Sequence, residues 1–473
     1  MKKFIVVSLL LAAIIFACNE VKQSKNVAGG PGENPIANSF CPDTTHPNDF
    51  CPQLPYDVNL PFQAGYTAHL DPDLQPPFDI FSWQTFVALN WPADSAGNPM
   101  SGSIGDHPDA LRVWEYYTDF AEIFGGSDQM ILQLKDAKNS KLKFFHLTSK
   151  SNHHHRDSLS GFQEADTKPL IDRNLNFAVF DIKANPVETN FIITNNLETK
   201  SGINAFYLKN NKQFQLPASS AKDNSAGSME IKTSWRILDT SKGDDPSRYY
   251  TRDAIIFISD SNSVTGKAFT IKAKVGLVGM HIIRKTGKFT KWIWSTFEHI
   301  DNTPDNIQEA QMDQHPTIPW SFYYPSTLGL MPGIPAAFLP GDNNNYKFDP
   351  SAPYAKRYAV SVFGEAGNNK VFGTQAQRVY PIYYRTQQVN RLWRDKLKGT
   401  VWTNYKLIGS QWTIGDPGII NTPNVPAMLG NTTLETFMLT NASCISCHGG
   451  ATVAVGGNTI FTDFSYMIAL NAQ

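Results

Sequence analysis

The sequence has no excess of either charge sign. Its 41 lysines and arginines meet 42 aspartates and glutamates, which gives no electrostatic footprint for nucleic acid or a strongly acidic partner. It also lacks a bilayer-length apolar run, because the stretch from Phe4 to Ala17 is too short to cross a hydrocarbon core comfortably. No segment repeats, so a solenoid or propeller has no support. Cysteine is scarce, at five in 473 residues. With 41% hydrophobic residues the chain can instead bury one large core or two ordinary ones.

What the N-terminus does have is MKKFIVVSLLLAAIIFAC: two lysines, an apolar run and a cysteine, the layout of a secretory signal. Ile15-Phe16-Ala17-Cys18 resembles a loose lipobox, with Phe16 where a small residue is usual. Residues 1–17 are expected to be a lipoprotein signal peptide, and Cys18 to carry the lipid. The alternative is an ordinary signal peptide cut elsewhere. Lipidation predicts an exported protein anchored in the cell envelope, facing the periplasm or the cell surface, that touches the membrane only through its lipid. Residues 18–54 are expected to form a tether. Export makes a Cys41–Cys51 disulfide the natural use of that pair, with a metal site using His46 as the alternative.

Residues 55–385 read as a β-rich body. PFDIFSWQTFVALNW (77–91) predicts an amphipathic helix behind Asp79 as N-cap, and LRVWEYYTDFAEIF (111–124) a weaker one. Met229, Ile231, Thr233, Trp235 and Ile237 alternate with polar residues. RYYTRDAIIFIS, AFTIKAKVGLVGMHIIRK and KFTKWIWSTFEHID add β-branched and aromatic residues, which predicts a largely antiparallel sheet. Residues 386–473 are expected to pack on this body. They comprise a capped helix from Thr386 ending at Gly399, a strand, and a helical C-terminus. The fold class expected is α+β, predominantly antiparallel, with peripheral helices.

The motif that carries chemistry is Cys444-Ile445-Ser446-Cys447-His448, the Cys-x-x-Cys-His pattern of covalent haem c attachment. Thiols three residues apart on a helical turn reach the two vinyl groups of one porphyrin, and the next histidine is placed on the iron as proximal ligand. A zinc half-site and a thioredoxin-like pair are the alternatives, but the Gly-rich surroundings offer neither a fourth ligand nor a βαβ unit. MLGNTTLETFMLTNASCISCHGGA, TDFSYMIALNAQ, FSWQTFVALNWP, RVWEYY, VGLVGMHIIRKT and WIWSTFEHIDN together resemble a group of exported bacterial cytochrome c family proteins. That resemblance spans most of the mature chain. It implies one covalent haem held by Cys444, Cys447 and His448, and it names no substrate.

Only 25 residues follow His448, so the upstream body must help to cover a haem. Met467, in DFSYMIAL behind Asp463, is the one downstream residue that can ligate iron; Met428 and Met438 are weaker candidates. His281 and His299 are the upstream ones. If Thr286-Gly287 tips a hairpin with a two- or four-residue loop, positions summing to 573 pair, and His281 shares a face with Trp294, Thr296 and Glu298. His299 then faces the other way, with Phe297 and Met280. His153-His154-His155 reads as a solvated loop, and WSFYYPSTLGLMPGIPAAFLPG, near His315 and Glu309, as a long covering loop. The function expected is one-electron transfer with another exported redox protein. The alternative is a peroxidase- or oxygenase-like haem enzyme whose substrate pocket lies in the large body.

Overall fold

The β-branched and aromatic middle of the chain forms a single sheet. The computed structural model describes every residue except 1–38, 44, 60–74, 126–127, 141, 146–169, 175, 259–262, 264, 306–319, 324–345, 349–354, 358–375, 414–425 and 473. Its strands are β1 (Thr118–Asp119), β2 (Lys143–Phe145), β3 (Val179–Ala184), β4 (Met229–Ile237), β5 (Thr251–Ile258), β6 (Phe269–Arg284), β7 (Ile293–His299), β8 (Tyr346–Phe348), β9 (Ala355–Arg357), β10 (Tyr405–Gln411), β11 (Thr452–Val455) and β12 (Asn458–Phe461). All but β8–β9 and β11–β12, which form separate hairpins, join in one eight-stranded sheet. Its order is β1-β3-β4-β6-β5-β2, and β10 and β7 branch from β6. The 16-residue β6 makes the branch possible. One of its edges carries β4, while the other pairs first with β5 and then with β7. Among the described strands only β2 and β5 run parallel. The α+β, mostly antiparallel architecture is thus as expected.

The helices are α1 (Gln75–Leu89), α2 (Phe120–Phe124), α3 (Asp128–Asn139), α4 (Pro186–Thr194), α5 (Lys200–Lys209), α6 (Tyr384–Lys396), α7 (Cys444–His448) and α8 (Tyr466–Asn471). No described helix is long and apolar enough to cross a membrane. Helices α1 and α6 cover one face of the sheet. There Trp83 meets Phe297 at 5.0 Å and stacks on Trp393 at 5.6 Å. Helices α4, α5 and the C-terminal segment cover the other, where Ala184, Ile283 and Trp294 share a core with Ile192, Ile203, Ile445, Phe464 and Met467. Alternation in β4 predicts one wet face, yet all nine of its residues are buried, because both faces are covered.

Several local expectations shift for the same reason. Asp79 does not cap α1; it lies inside the helix, wholly buried, and accepts hydrogen bonds from Gln75, Thr386 and Ser410. The 111–124 stretch breaks into a 3-10 turn, the short β1 and α2. Helix α6 begins at Tyr384 without a side-chain cap, Thr386 being turned to Asp79, and ends at Lys396. Gly399 then takes the left-handed turn, at φ +89°. The described residues between 39 and 54 do not hang loose. The Cys41–Cys51 disulfide forms, and the loop it closes packs Phe40 and Phe50 on Trp393 at 5.0 and 5.5 Å. Cys18, His153–His155, Glu309, His315 and most of the proline-rich segment lie outside the described residues.

Burial pushes the Asp79 carboxyl up to about 7. The native state therefore holds this proton more tightly than the unfolded chain does. Stability is fully present below the ordinary carboxylate range and is lost as pH rises toward 7, by up to about 4 kcal/mol. Asp79→Asn is expected to melt higher than the parent at pH 8, to keep only part of that advantage at pH 5 and to lose the rest below about pH 4 in thermal denaturation. An advantage independent of pH counts against this account.

Candidate functional site

The Cys-x-x-Cys-His residues form α7, a single helical turn against the sheet. Cys447 N–H donates to the Ser443 carbonyl at 2.9 Å, and Gly449 N–H to the Ile445 carbonyl at 2.8 Å. Gln411, the last residue of β10, clamps the turn from the sheet side. Its Oε1 accepts from Ile445 N–H at 3.0 Å, and its Nε2 donates to the Pro426 carbonyl at 2.7 Å and reaches Ser443 Oγ at 3.3 Å. Gln411 occupies this face because of a one-residue bulge between Leu407 and Gly409, which reverses the alternation of β10 before Gln411 pairs with Trp294. Cys444 is half-buried against Ile382, Ile408 and Leu429, and Cys447 is exposed; neither is in a disulfide.

His448 is buried, and its Nδ1 stands 2.8 Å from the Phe464 carbonyl. A carbonyl only accepts, so Nδ1 carries the proton and Nε2 the lone pair, the tautomer that a metal-ligating imidazole needs. Trp294 lies 4.4 Å from the imidazole between ring centres, and Tyr466, whose hydroxyl donates to the Cys447 carbonyl at 3.0 Å, lies 5.1 Å away on another side.

His448 opens on a small cleft of about 40 Å³. Met467 and Tyr466 line it from the C-terminal segment, and Trp294, His281, Lys232 and Glu230 line it from the sheet. The structure therefore brings together three sequence-predicted residues, His448, His281 and Met467. The hairpin register differs from expectation. The loop between β6 and β7 is longer, and pairs sum to 577, so that His281 lies opposite Thr296. The slip is an even number, and the predicted faces survive it. The Nε2 of His281 sits 3.2 Å from Glu435 Oε2. Met467 is buried on α8, whose N-cap is Ser465 and not Asp463. Asp463 instead accepts from Leu216 N–H at 2.8 Å and pairs with Lys285.

His299 must be withdrawn as a distal ligand. It faces α1 and α6, with Nε2 donating to the Arg248 carbonyl at 2.9 Å and Nδ1 accepting from Asp301 N–H at 3.1 Å. Both nitrogens are spent, and burial lowers its pKa to about 4. Met428 is exposed away from the cleft lining. Sequence reading missed Gln411, Glu230 and Lys232. Their polarity on strands signalled solvent, and only the covering segment makes them part of a site.

No protein-family model matches the chain, and no curated protein or solved structure does either. Among the described residues no group of three or more His, Cys, Asp or Glu side chains is arranged to hold a bare metal ion.

Gln411→Ala leaves the Ile445 N–H buried without its acceptor, at a cost of about 1–3 kcal/mol. The variant should unfold at lower denaturant, and Cys444 should alkylate faster with a maleimide. Unchanged thiol kinetics would show that the clamp does not hold the turn.

Proposed function

We propose that the chain is an exported, lipid-anchored monohaem c-type cytochrome that exchanges single electrons with another exported redox protein. The observation that carries this is the orientation of His448. Its Nδ1–H faces the Phe464 carbonyl at 2.8 Å, the kind of contact that orients a metal-ligating imidazole, on the same turn as two thiols outside any disulfide. Covalently attached haem would supply an iron that changes oxidation state by one electron. Cys444 and Cys447 would hold its edge through thioethers. The Phe464 carbonyl fixes the imidazole tautomer and raises its basicity. Trp294 and Tyr466 restrain the ring, and the apolar core around Ile445 and Phe464 excludes water from that side. Met467 and His281, which line the same cleft, are the side chains that would supply a further iron ligand.

Position favours transfer over substrate chemistry. A larger cavity of the body, about 410 Å³, is lined by Asp181 and Lys183, whereas Ile182 between them lines the His448 cleft. Alternate residues of one strand face opposite sides, so that cavity is separated from the iron position by the sheet. A haem enzyme remains the second reading because His281 and Lys232, both able to donate protons, line the cleft itself.

Produced in a host that attaches haem c, the protein is expected to gain the mass of one haem and keep its pigment in acidified acetone. Cys444→Ser with Cys447→Ser should abolish both. A six-coordinate low-spin spectrum indifferent to carbon monoxide supports the carrier, whereas a high-spin iron that binds carbon monoxide supports the enzyme. If Met467→Ala and His281→Ala both leave the ligand-field spectrum unchanged, neither is the sixth ligand.

A further inference from the structure

Behind the cleft lies a carboxyl pair that electron transfer alone does not use. Glu188, in the first turn of α4, is wholly buried, and Asn185 Oδ1 ties it to the start of β4 by accepting from Glu188 N–H at 3.1 Å and from Met229 N–H at 3.2 Å, next to Glu230. Burial first, and the Glu230 carboxylate second, raise its pKa well above the ordinary carboxylate range. Two ionised carboxylates side by side in so dry a place are costly, so the pair favours sharing a proton.

The pair connects to the site by geometry. Glu230 lines the cleft from β4, and its Oε1 accepts from Ser465 Oγ at 2.5 Å. Ser465 caps α8, the helix of Met467, and directly follows Phe464, whose carbonyl holds His448. Of the other charges nearby, Asp463 also acts on Glu188 but is paired with Lys285. Lys232 faces the cleft two residues along β4, and His281, opposite it on β6, stands against Glu435.

We propose, resting on the haem reading, that the Glu188–Glu230 pair takes up a proton when the iron held by His448 gains an electron and releases it when the electron leaves. The electron comes from a one-electron donor protein and the proton from solvent, which adds to a carboxylate oxygen; no other bond of the chain changes. With the proton gone, an extra negative charge beside the cleft favours the more positive, oxidised iron, so the reduction potential falls as pH rises.

The test is potentiometry of the full-length haem-loaded protein between about pH 5 and pH 9, on the parent, Glu188→Gln and Glu230→Gln, with infrared detection of protonated carboxyl groups. The parent potential is expected to fall by up to about 59 mV per pH unit across the titration of the pair, the one-electron equivalent of a tenfold change. Glu188→Gln should flatten the slope and remove a protonated-carboxyl band. A flat parent profile, or a slope untouched by both substitutions, overturns the proposal while covalent haem stands. Pigment lost to acidified acetone overturns the haem reading and this proposal with it.

Discussion

The C-terminal site depends on one buried carboxylate. Glu298 on β7 is wholly buried and accepts from Arg378 Nη2 at 2.6 Å and from both the backbone N–H and the hydroxyl of Thr432. Removing either partner would leave a charge stranded in a dry place, so the three groups hold one another in position. Around them, Asn431 donates to Thr296 Oγ1 and the Phe297 carbonyl, and Thr433 meets Ser234 at 2.6 Å. The contact is close enough to demand glycine at 279, where a Cβ would come within 2.2 Å of Thr433 Oγ1. This seam fixes where residues 431–433 lie, and with them the short path to Cys444.

The same seam explains why β4 and β7 have no wet face. Hydroxyl and amide side chains that alternate out of β4 and β7 find partners in the C-terminal segment on one side. On the other, Ser295 joins the Ser82, Ser410 and Asp79 network. Polar residues are buried in satisfied networks, so a reader of hydropathy alone mistakes a middle layer for a surface.

How much was legible follows from how local each feature is. The motif at 444–448 and the Cys41–Cys51 pair depend on spacing within a few residues, and the disulfide forms in the structure as spacing suggested. The facing of His281 with Trp294 survived a wrong register because the loop between β6 and β7 is longer by an even number of residues. Asp79 as a cap, by contrast, was a local rule overridden by tertiary contacts with Thr386 and Ser410. Gln411 was missed because the one sign of the bulge that turns it toward α7, the lone Gly409 inside the strand, does not say which segment the strand then faces.

The sequence by itself determined the chemistry available at the C-terminus, since two thiols and an imidazole at fixed spacing need only a turn of helix to converge. It also determined the class of fold, through the long runs of β-branched and aromatic residues. Only the tertiary structure decided which imidazoles share the cleft, which tautomer His448 holds, and that Glu188 and Glu230 are buried beside one another. Those outcomes depend on which face of a strand is covered and by what, and contacts between residues hundreds of positions apart set that.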